Sequence, residues 1–117
     1  MSSDEHNLRI DYIEFPVRDI RQTKEFYSRI LGWKFEDYGP DYTSFHDGRI
    51  SGGFFTSAEI RLGGPLIVIY SNDIEAMQKK VTDAGSRIVK PIFKFPGGRR
   101  FHFVDPSGHE LAIWTDK

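Results

Sequence analysis

Apolar and polar residues alternate along Tyr12-Ile13-Glu14-Phe15-Pro16-Val17, the period of a strand with one covered face. Ile13, Phe15 and Val17 form the covered set, and Tyr12, Glu14 and Pro16 point the other way. The period then lengthens. Ile20, Phe26, Tyr27, Ile30 and Leu31 recur at helical spacing between Asp19, which suits an N-cap, and Gly32, which suits a C-terminal stop. Alternation returns over Trp33 to Tyr38, Tyr42 to His46 and Ile50 to Thr56, with turns expected at Gly39-Pro40-Asp41 and Asp47-Gly48.

The same order then repeats, nearly half the chain further on. Strand-like Leu66 to Tyr70 leads into Asp73-Ile74, and a helix with an apolar face of Ile74, Met77, Val81 and Ala84 closes at Gly85. Three strands follow over Ser86 to Phe95, Arg99 to Val104 and Glu110 to Thr115, with turns at Pro96-Gly97-Gly98 and Asp105-Pro106-Ser107-Gly108. Ser57 to Gly64 is the expected connector. The pattern therefore predicts an α+β domain over residues 1–117, built from two tandem βαβββ modules at about 8–57 and 64–116. Helices on one sheet face leave the other as a candidate ligand cleft. In the last strand Leu111 and Ile113 belong to the covered face, and Glu110, Ala112 and Trp114 to the open one.

Composition narrows the chemistry. Sixteen Lys and Arg against 17 Asp and Glu leave a net charge of −1, without the cationic field that holds a phosphate backbone, so no nucleic-acid partner is expected. Lys79-Lys80 reads as the solvated face of the second helix. With no cysteine, any metal needs His, carboxylate or water ligands. Gly52-Gly53 and Gly97-Gly98 lack the strand, turn and helix order of a phosphate loop. The polar start, MSSDEHN, does not read as a secretory signal, and the apolar run Leu66 to Tyr70 is too short to cross a bilayer. A cytoplasmic protein without a membrane partner is the expectation.

Three segments resemble the vicinal oxygen chelate superfamily, which includes glyoxalase I, bleomycin and fosfomycin resistance proteins and extradiol dioxygenases. They are YIEFPVRDI at Tyr12 to Ile20, EFYSRILGWKF at Glu25 to Phe35 and FVDPSGHELAIW at Phe103 to Trp114. Gly52-Gly53 and the ending ELAIW are most similar to small bacterial glyoxalase-like proteins. The resemblance implies paired βαβββ modules curled around a cup-shaped pocket, with the helices outside, and a homodimer. It also implies four metal-ligand positions, which fall at Tyr12, at Gly52 or Gly53, at Pro65 or Leu66, and at Ala112. None is a customary ligand, so no resident metal or other cofactor is expected at these positions.

Other polar residues are candidates on the open face. Glu14, His102 and Glu110 form one set, with a carboxylate as base and His102 as acid or polarising group. The bland reading pairs Glu14 with Arg100 or another cation and has His102 hydrogen-bonded within the pocket wall. Arg99 and Arg100 point to opposite faces, and Arg100 shares parity with His102, so it is the candidate anion contact or else a surface ion-pair partner. Tyr12 and Trp114 offer aromatic walls. His46 shares a face with Tyr42 and Ser44, whereas His6 and His109 carry no expected role. The functional expectation is a small-molecule-binding protein without the usual metal. The alternatives are a divalent-metal-dependent lyase or isomerase, resembling lactoylglutathione lyase, with ligands displaced to Glu14, His102 or Glu110, and a dimeric scaffold with a vestigial pocket.

Overall fold

The computed structural model describes residues 7–117, so His6 lies outside the described residues. Ten elements follow in order: β1 (Tyr12–Val17), α1 (Ile20–Leu31), β2 (Lys34–Asp37), β3 (Tyr42–His46), β4 (Ser51–Thr56), β5 (Ile67–Tyr70), α2 (Ile74–Asp83), β6 (Ile88–Phe95), β7 (Gly98–Val104) and β8 (Glu110–Thr115). The chain divides into two compact units at Ile60 and Arg61. Each has the strand, helix and three strands that the repeat implied, and the class is α+β with two tandem modules. Among the described residues no helix is long and apolar enough to cross a membrane.

In the N-terminal unit the strand order is β1-β4-β3-β2, with β1 parallel to β4 and the other pairs antiparallel. Asp19 caps α1 by accepting from the Gln22 amide at 3.0 Å, and Gly32 ends it at φ 70°, where its amide reaches the Ser28 carbonyl. Trp33 sits just beyond this stop and turns inward, so β2 starts one residue later than the alternation suggested. The core is a closed set of aromatic contacts. Ring centroids lie 4.8 Å apart for Tyr27–Trp33, 4.5 Å for Trp33–Phe45, 5.0 Å for Phe45–Phe54 and 5.1 Å for Phe54–Tyr27.

The C-terminal unit repeats the topology as β5-β8-β7-β6, with β5 parallel to β8. Asp73 caps α2 through the Ala76 amide at 3.0 Å, and Gly85 takes φ 88° just beyond its end. Its core is mainly aliphatic, with Ile74, Val81, Leu111 and Ile113 fully buried beside Phe101 and Phe103. Strand β6 begins at Ile88 rather than Ser86, because the Ser86 amide donates to the Val81 carbonyl of α2 at 3.3 Å instead of joining the ladder. Its pairing with β7 slips twice, between Ile88 and Lys90 and between Lys90 and Phe93. Pro91 lies inside the second slip, on an edge strand where a missing amide is tolerated.

Candidate functional site

Directly paired residues share a sheet face, so the register places the open-face side chains. In the N-terminal unit Glu14 pairs with Gly53, and Gly53 with Ser44. Gly53 carries no side chain, and Tyr42 leans across the vacant position towards β1. Its hydroxyl donates to Glu14 Oε2 at 2.8 Å and accepts from the Tyr12 hydroxyl at 2.6 Å. Glu14 is therefore partnered by a phenol, where the sequence pointed to Arg100 or another cation. The reason lies in register: a strand glycine opens a path between β3 and β1 that alternation along one strand does not display.

Burial, then the bonds to Tyr12 and Glu14, push the Tyr42 phenol well above its ordinary value of 10. It stays neutral and donating. A raised folded-state value favours folding fully below the ordinary phenol range, and this contribution is lost as pH rises through the folded value. Tyr42→Phe is therefore expected to remove one phenol from the part of an ultraviolet titration above pH 10. It should also flatten the alkaline loss of stability over the same range. Amplitude lost at the ordinary value instead would show that Tyr42 is not the shifted group.

Beside this network runs a groove of about 660 Å³, whose polar lining includes Tyr12, Lys34, Glu36, Ser44, His46 and Ser51. His46 does share a face with Tyr42 and Ser44, but it is exposed and its Nδ1 accepts from the Gly48 amide at 3.1 Å.

The C-terminal unit brings together two of the three candidate acid–base residues. His102 Nδ1 lies 2.7 Å from Glu110 Oε2, and the imidazole is buried while the carboxylate is partly exposed. A carboxylate only accepts, so the proton sits on Nδ1 and Glu110 fixes the ring. The opposite nitrogen, Nε2, is buried with no hydrogen-bond partner. Glu14 belongs to the other unit and its bond goes to Tyr42. His109 is buried in the turn after β7, where its amide donates to Asp105 Oδ1 at 2.9 Å.

The two neighbouring arginines separate as their parity requires. Arg99 bonds Glu75 on α2 and the Lys117 carbonyl, and this contact holds the Glu75 carboxyl below its usual range. Arg100 lies on the open face opposite Trp114. Its guanidinium carbon stands 5.4 Å from the Phe93 ring centroid and 5.3 Å from that of Phe95, and its Nε is buried without a partner. The surface ion pair that a solvated arginine suggests is replaced by an aromatic cradle. A pocket of about 360 Å³ is lined by Arg100, Val68, Phe95, Gly97 and Trp114. Phe93, Phe95 and Val68 were not foreseen. Phe93 faces Arg100 because the pairing runs unbroken from Phe95–Gly98 at the hairpin turn, and alternation within one strand does not display its partner across the turn.

The positions that the resemblance assigns to metal ligands carry few donors. At Gly53 an added Cβ would lie 2.0 Å from the Tyr42 hydroxyl and 2.9 Å from that of Tyr12. At Gly52 it would lie 2.3 Å from the Ile13 carbonyl oxygen. Ala112 is fully buried opposite His102. Among the described residues, no group of three or more His, Asp or Glu side chains gathers within reach of one ion.

The profile of the Glyoxalase/Bleomycin resistance protein/Dioxygenase superfamily matches residues 9–113. The chain belongs to this superfamily. Among solved structures it is similar to a glyoxalase-related enzyme from Fulvimarina pelagi, at 16% identity and a TM-score of 0.79, over 92% of this chain and 88% of that one. A glyoxalase/bleomycin resistance protein/dioxygenase family enzyme from Burkholderia phytofirmans reaches a TM-score of 0.82 at 16% identity, over 92% and 100%. The fosfomycin resistance protein FosX of Listeria monocytogenes, solved with Mn(II) and 1S,2S-dihydroxypropylphosphonic acid, reaches 0.80 at 16% identity, over 92% and 89%. At these identities the likeness is one of fold. No curated protein matches the chain by sequence.

Proposed function

We propose that this superfamily member binds a small organic molecule without a resident metal ion. The observation that carries the reading is the fate of the β4 position. The space a ligand side chain would enter from Gly53 holds the Tyr42 hydroxyl, bonded to Tyr12 and Glu14. Together with a methyl group at Ala112, the donor set does not fit a divalent ion at the family's positions. The His102–Glu110 pair is better suited to shaping a pocket wall than to acid–base work. The ring nitrogen not facing Glu110 is sealed from solvent, so proton exchange would require the wall to open. Homodimerisation, as the family resemblance implies, and a cytoplasmic setting accompany the reading.

Metal analysis of untagged protein, followed by thermal unfolding with added Mn²⁺, Ni²⁺ or Zn²⁺ and with EDTA, tests it. The expected result is no stoichiometric metal and no shift with either ion or chelator. A native-state ion at 100 times its dissociation constant would add about 2.7 kcal/mol, which is readily seen. Bound metal together with a stabilising shift that disappears in Glu110→Gln would overturn the reading and favour displaced ligands.

A further inference from the structure

Resting on the metal-independent binding reading, we propose that the pocket of the C-terminal unit takes a small aromatic carboxylate, its acid group on Arg100 and its ring against Trp114 and Phe95. Arg100 is the reason. Arg100 lines the pocket while its Nε is buried and meets no acceptor, so the charge is poorly compensated until an anion reaches the part of the guanidinium that faces the pocket. Three carboxylates of the same unit are engaged elsewhere: Glu75 by Arg99, Glu110 by His102 and Asp116 by the Tyr70 hydroxyl at 2.7 Å.

The surroundings specify the remainder of the ligand. Phe93 and Phe95 lie within cation–π distance and hold the guanidinium before any ligand arrives, which reduces the ordering cost of binding. The rest of the wall is Val68, Gly97 and Trp114, and the Trp114 ring is itself fixed edge-on by Tyr70 at 5.3 Å. A volume of about 360 Å³ lies at the lower end of small-molecule sites. One cation in an apolar wall balances a single negative charge, so a monoanionic carboxylate fits better than a phosphate dianion. No covalent step is involved.

Isothermal titration of the full chain with 2-naphthoate tests the proposal, with 2-naphthylmethanol as the neutral counterpart. Both are run in EDTA and again with Mn²⁺. Naphthoate is expected to bind in EDTA, the alcohol far more weakly, and Arg100→Gln to weaken naphthoate roughly ten- to hundredfold. Arg100→Lys keeps the charge but loses the planar fork, and an intermediate loss is expected. It also serves if the glutamine variant does not fold. Equal binding of alcohol and acid, or naphthoate binding unchanged in folded Arg100→Gln, would overturn the anion site while leaving metal-free binding intact. No binding of naphthoate by the folded wild-type chain would overturn the proposal likewise. Naphthoate binding that appears only with Mn²⁺ would overturn the metal-independent reading beneath it.

Discussion

Replacing Gly52 by alanine is expected to destabilise the protein by more than about 4 kcal/mol, in the range reserved for substitutions the fold cannot absorb. Gly52 is buried in β4 opposite both Ile13 and Phe45. The new methyl would meet the Ile13 carbonyl oxygen and a Phe45 ring carbon, each at 2.3 Å. The carbonyl is fixed by the parallel pairing of β1 and β4, and Phe45 is locked between Trp33 and Phe54. Neither has room to retreat. Gly53→Ala is the informative control, because its methyl collides with the end of the Tyr42 side chain. The cost should fall to about 1–3 kcal/mol, the usual range for overpacking, as the phenol swings aside. Denaturant unfolding of both variants checks the contrast, and equal costs would mean that the β1–β4 approach is looser than described.

Phe54→Ala is expected to cost about 3–5 kcal/mol, the usual range for emptying a large aromatic site. Phe54 is fully buried and its centroid stands 5.5 Å from Phe15, 5.0 Å from Phe45 and 5.1 Å from Tyr27. It links β1, β3 and α1 through one ring. Phe54→Leu keeps much of the volume and should cost less than half as much by the same denaturant assay. A Phe54→Ala variant as stable as Phe54→Leu would show that the neighbouring rings collapse into the void.

The elements were legible because their signals are local. Asp19 and Asp73 mark helix starts by their own side-chain chemistry, and Gly32 and Gly85 mark ends by backbone freedom, so caps, strand parity and the repeat all appear along a single stretch of chain. Parity also separated Arg99 from Arg100 correctly. What was hidden depends on cross-strand register. The bond from Tyr42 to Glu14 spans two strand pairings and requires Gly53 between them, and the Phe93 cradle depends on the pairing of β6 with β7 across their hairpin turn. A glycine inside a strand was the available sign of close approach in the first case. In the second, the turn at Pro96-Gly97 was the available sign, since it sets Phe95 opposite Gly98 and Phe93 opposite Arg100.

The duplication has left each half with one tryptophan in a different setting. Trp33 is buried in the aromatic stack of the N-terminal unit, and Trp114 is half-buried on the open face of the C-terminal one. These are the chain's two tryptophans. Each single-tryptophan variant therefore carries an intrinsic fluorophore assigned to one unit. Its emission maximum reports when that unit loses structure, so the order in which the halves melt becomes readable without an added label.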